Sequence, residues 1–309
     1  MCDCTKSPGV HWFQNFAVDA PHRATMFDHR EYLRRCAAEG RQPSNLFKCP
    51  GTLLHHIVVD GMHASDLGAF CDALGSLFWF EICHKPWHRT QALGLASLNR
   101  KLDTFYKNDF PTASRMSPLT AARITPKDCT YPFLKSKAAP VRHAAEHAVS
   151  LAHKHAVGSA TRKPFTFSAK HRLQGKETQH RDLILALFRA MERYVRCLRE
   201  DVFDQNTCRD SMYTFLRSMS GLNLLWRHGL SADLAKRQPF HIRPKCHMLQ
   251  HLVRDCVPLF GSPSKFWCYR DEDYVGAIKR ICAKTKAPAT LESRVLLKVR
   301  IIEGLSLEL

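Results

Sequence analysis

The longest apolar stretch of the chain, from Leu67 to Cys83, constrains everything around it. It carries Asp72 and Glu81 and falls short of the roughly 20 residues that a membrane span requires, so it is expected as a helix buried in protein. With 309 residues, 45% of them apolar, the chain can bury one large core or two modest ones around that helix. No disulfide or metal staple is needed for folding.

Other segments carry the spacing of helices. Gln91 to Tyr106 places Leu95, Leu98, Leu102 and Phe105 at helical intervals, and Thr178 to Val202 does the same with Leu183, Leu187, Met191, Tyr194 and Leu198. Val141–Val157, Thr207–His228, His247–Cys256, a stretch ending near Ala283 and Leu291–Ile302 are read likewise, as is one short helix inside the charged segment Asp28–Glu39. Pro111, Pro118, Pro126, Pro132 and Pro140 make 109–140 mostly connection, with one short helix near Leu119–Ile124. The exception is Leu53–Val59 (LLHHIVV), whose β-branched run reads as a strand leading through an Asp-Gly-Met-His turn into the buried helix. The expectation is a mainly α protein, a helical bundle with a small β remnant near residues 53–60.

Four regions follow: an irregular segment 1–52, a strand-plus-helix part 53–157, a basic glycine-bounded linker 158–177, and a helical part 178–309.

Lysine and arginine number 46 against 28 aspartates and glutamates, a net +18, and the 18 histidines add charge in acid. The excess is spread along the chain rather than gathered in a juxtamembrane block, which favours nucleic acid over a membrane as the polyanionic partner. Candidate phosphate contacts are Lys135, Lys137, Arg142, Arg162, Lys163, Lys245, Lys279 and Arg280. For any one of them the competing reading is an ordinary solvated surface charge. Thirteen cysteines, an odd number without framework spacing, behind a polar start (MCDCTKSPG), point to reduced thiols in an intracellular protein, nuclear if it works on DNA.

Four constellations have chemical potential. Asp60-Gly-Met-His63 can share a metal or a proton, but equally Asp60 can cap the following helix. Cys246-His247-x-x-x-His251-x-x-x-x-Cys256 sets two imidazoles one helical turn apart, a pattern open to zinc although it lacks a C-x-x-C pair. Cys2-x-Cys4 has the look of a zinc-knuckle remnant whose other ligands lie outside this chain. Finally, Asp271-Glu272-Asp273 concentrates carboxylates of the sort that hold divalent cations, or that complement a helix N-terminus. Phosphate-cradling glycine loops and the nucleophile-elbow motif do not occur.

Taken in order, Asp60-x-x-His63, Pro244-Lys245-x-His247-x-x-x-His251 and the acidic turn Trp267–Asp273 resemble the C-terminal portion of DDE-type DNA transposases of the CACTA-like and Plavaka-like kind, over about residues 50–300. The resemblance implies a ribonuclease H-like core interrupted by a helical insertion, with Asp60, His63 and Glu272 as catalytic-site residues and Mg²⁺ at Glu272 as the cofactor of any catalysis. It also implies two more aspartates from strands upstream of Asp60, where only residues 1–59 stand. The chain is thus expected to be a transposase-derived DNA-binding protein, with an incomplete catalytic site and with self-association left open. The alternatives are an active metal-dependent transposase or nuclease, and a non-catalytic module that binds zinc or a protein partner.

Overall fold

The computed structural model describes residues 2–83, 88–109, 111, 114–126, 130–159, 163–167, 175–229 and 238–284, and divides into two units, Met1–Phe266 and Trp267–Leu309. Helices dominate: α1 His29–Ala38, α2 Phe70–Cys83, α3 Gln91–Asn108, α4 Ala121–Ile124, α5 Ala138–Val157, α6 Glu177–Cys197, α7 Gln205–Gly229, α8 Pro244–His251 and α9 Val257–Phe260 in the first unit, with α10 Tyr269–Lys284 in the second.

The apolar stretch is the axis of the first unit. Phe70, Cys71, Ala73, Leu74, Leu77 and Phe78 on α2 are at most 1% exposed, so all sides of this helix are covered, as its composition requires. The α3, α4 and α5 helices contribute to that cover, and α8 packs on the Met62–Ala69 turn just ahead of it. The alanines of α5 (Ala144, Ala145, Ala148, Ala152) let it lie close to α6, and α6 in turn packs along α7. One core therefore runs through the unit, and it includes Phe13 and Phe16 of the N-terminal segment.

The acidic residues within and just ahead of the apolar helix are not strays. Asp66, Asp72 and Glu81 are buried, and each faces its own cation: Arg142 on α5, Arg243 just before α8 (2.8 Å) and Lys101 on α3 (3.1 Å). A buried charge is tolerated only when paired in this way.

Between Met62 and Ala69 the backbone widens into a π-helical turn before α2 begins. Asp60 caps this turn by accepting the Met62 and His63 N–H groups (3.2 and 3.0 Å). At Gly68 both the turn's own backbone and α8 come near: a Cβ there would sit 2.7 Å from the His63 carbonyl oxygen and 3.0 Å from Cδ of Lys245. The bare glycine sets the seat of α8.

Three expectations are corrected. Residues 53–60 form no strand: Leu54–His56 is a 3-10 turn followed by irregular backbone, and no strand occurs among the described residues. The Leu53 N–H donates to Nδ1 of His56 (3.1 Å), a local bond that replaces a sheet ladder. Secondly, Pro140 does not end a connection but lies in the first turn of α5, where its missing N–H costs nothing. Thirdly, the described part of the linker, 163–167, is anchored, because Phe165 and Phe167 are buried and the Phe165 N–H donates to the His155 carbonyl (2.9 Å). The expected helix Leu291–Ile302 lies outside the described residues.

Candidate metal centre and basic surface

The α8 helix starts with Pro244, whose fixed φ suits a first helical position, and carries His247 and His251 one turn apart on one face. Both imidazoles point at the same spot, with Nε2 of His247 and Nε2 of His251 3.0 Å apart. The third corner is Cys2, whose sulfur lies 3.2 Å from each of these nitrogens. The structure thus joins two motifs that sequence spacing kept apart. Cys2 meets both histidines within the chain.

Cys2 is held there by its neighbours. The Asp3 N–H donates to Oγ1 of Thr25 (2.8 Å), and its carboxylate pairs with Arg35 of α1 (3.0 Å). The loop behind it is closed by Thr5 N–H to the His11 carbonyl and Phe13 N–H to the Thr5 carbonyl (2.7 and 3.1 Å). Gln14 then donates to the Ile242 carbonyl (3.2 Å), which ties the N-terminal segment to the approach to α8.

Around the triangle stands a supporting shell. Nδ1 of His251 lies 2.6 Å from Asp255, whose carboxyl is held down at about 2 by His251 and Arg254 despite its burial. The Asp255 carboxylate and the Arg254 guanidinium both lie against Nδ1 of His251 (2.6 and 3.1 Å), which fixes the ring with Nε2 toward the centre. His247 is 5% exposed, and burial and neighbouring cationic groups push it down to about 3, so it is neutral. His22 is fully buried, packs edge-on against His247 with ring centroids 4.7 Å apart, and neither of its nitrogens has a hydrogen-bond partner. Burial raises the Cys2 thiol to about 11, and the Cys4 thiol adds to that shift from hydrogen-bonding reach. Two imidazoles and a thiol therefore converge on one point.

Cys246 and Cys256, which flank the histidines in sequence, do not join them. Both face the core, where burial raises their thiols, Cys246 to about 12. Asp60 pairs with Nδ1 of His63, and Asp60 lines the same largely apolar cleft as Cys2, His247 and His251. Glu272 sits in the opening turns of α10, in the second unit.

The basic candidates separate into two kinds. Lys135, Lys137, Lys163, Lys279 and Arg280 are exposed. Arg142 instead turns inward onto Asp66, and Nζ of Lys245 donates to the Leu67 carbonyl (3.0 Å), so these two charges serve packing rather than a surface. Arg162 lies outside the described residues. Sequence reasoning overlooked an exposed arginine series on α6, Arg189, Arg193, Arg196 and, just beyond the helix, Arg199. Its i, i+4, i+7 spacing was visible, but the apolar face of the same helix drew the attention.

Among the described residues, no helix is long and apolar enough to cross a membrane. No family model, no curated protein and no solved structure matches the chain.

Proposed function

We propose that this chain is a transposase-derived DNA-binding protein that grips the sugar–phosphate backbone through basic helical surfaces and is catalytically incomplete by itself. The observation that carries the reading is where the charge goes. Each carboxylate buried beside or within α2 takes one cation with it, so these pairs cancel and the net +18 is left to the rest of the molecule. A surface so unbalanced condenses anions, and a polyanion gains most because its own counterions are released on binding. Lys135 and Lys137, just ahead of α5, and Arg189 on α6 are exposed side chains that suit phosphate contacts without base readout, while Arg196 and Arg199 sit beside Glu192 and Glu146.

The test is a titration of labelled duplex DNA at rising salt. Affinity should fall steeply, with a logarithmic slope of about −0.9 for each phosphate neutralised. Replacing Lys135 and Lys137 by glutamate should weaken binding equally for unrelated sequences and make the slope shallower by about one per lost contact. Absence of binding at low salt would remove the proposal. The same reactions run with Mg²⁺ address the active-enzyme alternative: strand cutting that Glu272→Ala abolishes would replace the incomplete reading with a catalytic one.

A further inference from the structure

We propose that Cys2, Cys4, His247 and His251 bind one zinc ion, which clasps the N-terminal segment onto α8. The triangle of donor atoms has edges of 3.0, 3.2 and 3.2 Å. Zinc bonds of about 2.0–2.1 Å to nitrogen and about 2.3 Å to sulfur, arranged tetrahedrally, place such donors roughly 3.3–3.6 Å apart. The observed triangle is therefore nearly one face of a zinc tetrahedron, needing an expansion of only a few tenths of an ångström. Cys2, His247 and His251 are one of the few groups of potential ligands among the described residues that converge this closely.

Cys4 supplies the fourth position. It stands two residues from Cys2 on the same segment; of the four, only Cys2, His247 and His251 converge within 4.8 Å of one another, so Cys4 closes the site by swinging in when the ion binds. Two thiolates and two imidazoles make a closed site of the structural kind, and this soft donor set selects zinc over magnesium or calcium. The surroundings fit the same purpose. Asp255 orients His251 from behind, as carboxylates do for metal-bound histidines, and Arg254 holds Asp255 in turn (2.8 Å). His22, buried with both nitrogens unpartnered, packs edge-on against His247 and covers its inner side. Binding balances as the release of the two thiol protons to solvent while Zn²⁺ takes the vacated lone pairs and those of the two neutral imidazoles; no redox step is involved.

The experiment uses the full chain, purified with zinc and then dialysed, with metal content measured and Co²⁺ exchanged in as a spectroscopic probe. One zinc per chain is expected, and the Co²⁺ form should show the strong visible bands of a tetrahedral ion together with sulfur-to-cobalt charge transfer. Cys4→Ser should lower that charge-transfer intensity by about half, because one of two thiolates is lost. His251→Gln should abolish stoichiometric binding, and Asp255→Asn should weaken it by roughly 10- to 100-fold. Cys49→Ser, at an exposed cysteine away from the cluster, should change nothing. If His251→Gln does not fold, chelation of the wild-type protein takes its place: removal of zinc should release the thiols of Cys2 and Cys4 to alkylation, located by mass spectrometry. Sub-stoichiometric zinc, a pale octahedral Co²⁺ spectrum, or zinc retained when both histidines are replaced would overturn the proposal. None of these outcomes bears on DNA binding, which is read separately.

Discussion

His147 shows how far one side chain can be moved by its surroundings. It lies on α5 against Phe105 (ring centroids 5.0 Å apart), 8% exposed, with no partner for Nε2, and burial pushes it down to about 4 even though Glu81 is near. The unfolded chain protonates this imidazole near 6.5 while the folded one keeps it neutral. Stability is therefore full above about pH 6.5 and falls as the pH drops toward 4, by at most about 3 kcal/mol from this group. Denaturant melts of wild type and His147→Gln across that window should converge as the pH falls; parallel curves would show that His147 does not govern the slope. Arg243 gives a second case. Replacing it by methionine leaves Asp72 buried without its cation, and a loss of about 3–5 kcal/mol in urea unfolding is expected, against a small change if the pair were dispensable. Neither environment was legible in sequence, where Arg142, Arg243 and Lys245 look like any other surface cations. A charge is visible in a sequence; its partner 76 or 171 residues away is not.

At the scale of elements, periodicity was a reliable guide. The helical spacings of Gln91–Tyr106 and Thr178–Val202 correspond to α3 and α6, because an amphipathic face requires a core and the core was there to receive it. The strand reading of 53–59 had no such support. A β-branched run becomes a strand only when a neighbour takes its N–H and carbonyl groups, and here Leu53 and Ile57 stay exposed beside a 3-10 turn. The metal centre lay between these extremes. His247 and His251 were recognisable as an i, i+4 pair, whereas the link to Cys2, 245 residues from His247, is a product of packing alone. That packing depends on Gly68. Gly68→Ala should drive α8 away from the π-helical turn, costing about 1–3 kcal/mol in thermal or urea melts and loosening the geometry around His247. A variant as stable as wild type would mean that α8 is seated by other contacts.

For the whole molecule, the mainly helical class and the central position of the Leu67–Cys83 stretch could be read from composition and pattern, because one long apolar segment leaves few ways to be covered. The ribonuclease H-like remnant could not be carried over, since it rested on a strand that the chain does not form. The arrangement of the first unit also imposes an order in time. Cys2 is made before its companions His247 and His251, which follow 245 and 249 residues later. At synthesis rates of about 5–20 residues per second, that gap lasts roughly 12–50 s. During it Cys2 stands without the two histidines it meets in the finished fold. Translation speed and chaperone access over that interval thus become determinants of yield, because the Cys2 thiol must stay reduced and reachable until α8 is made.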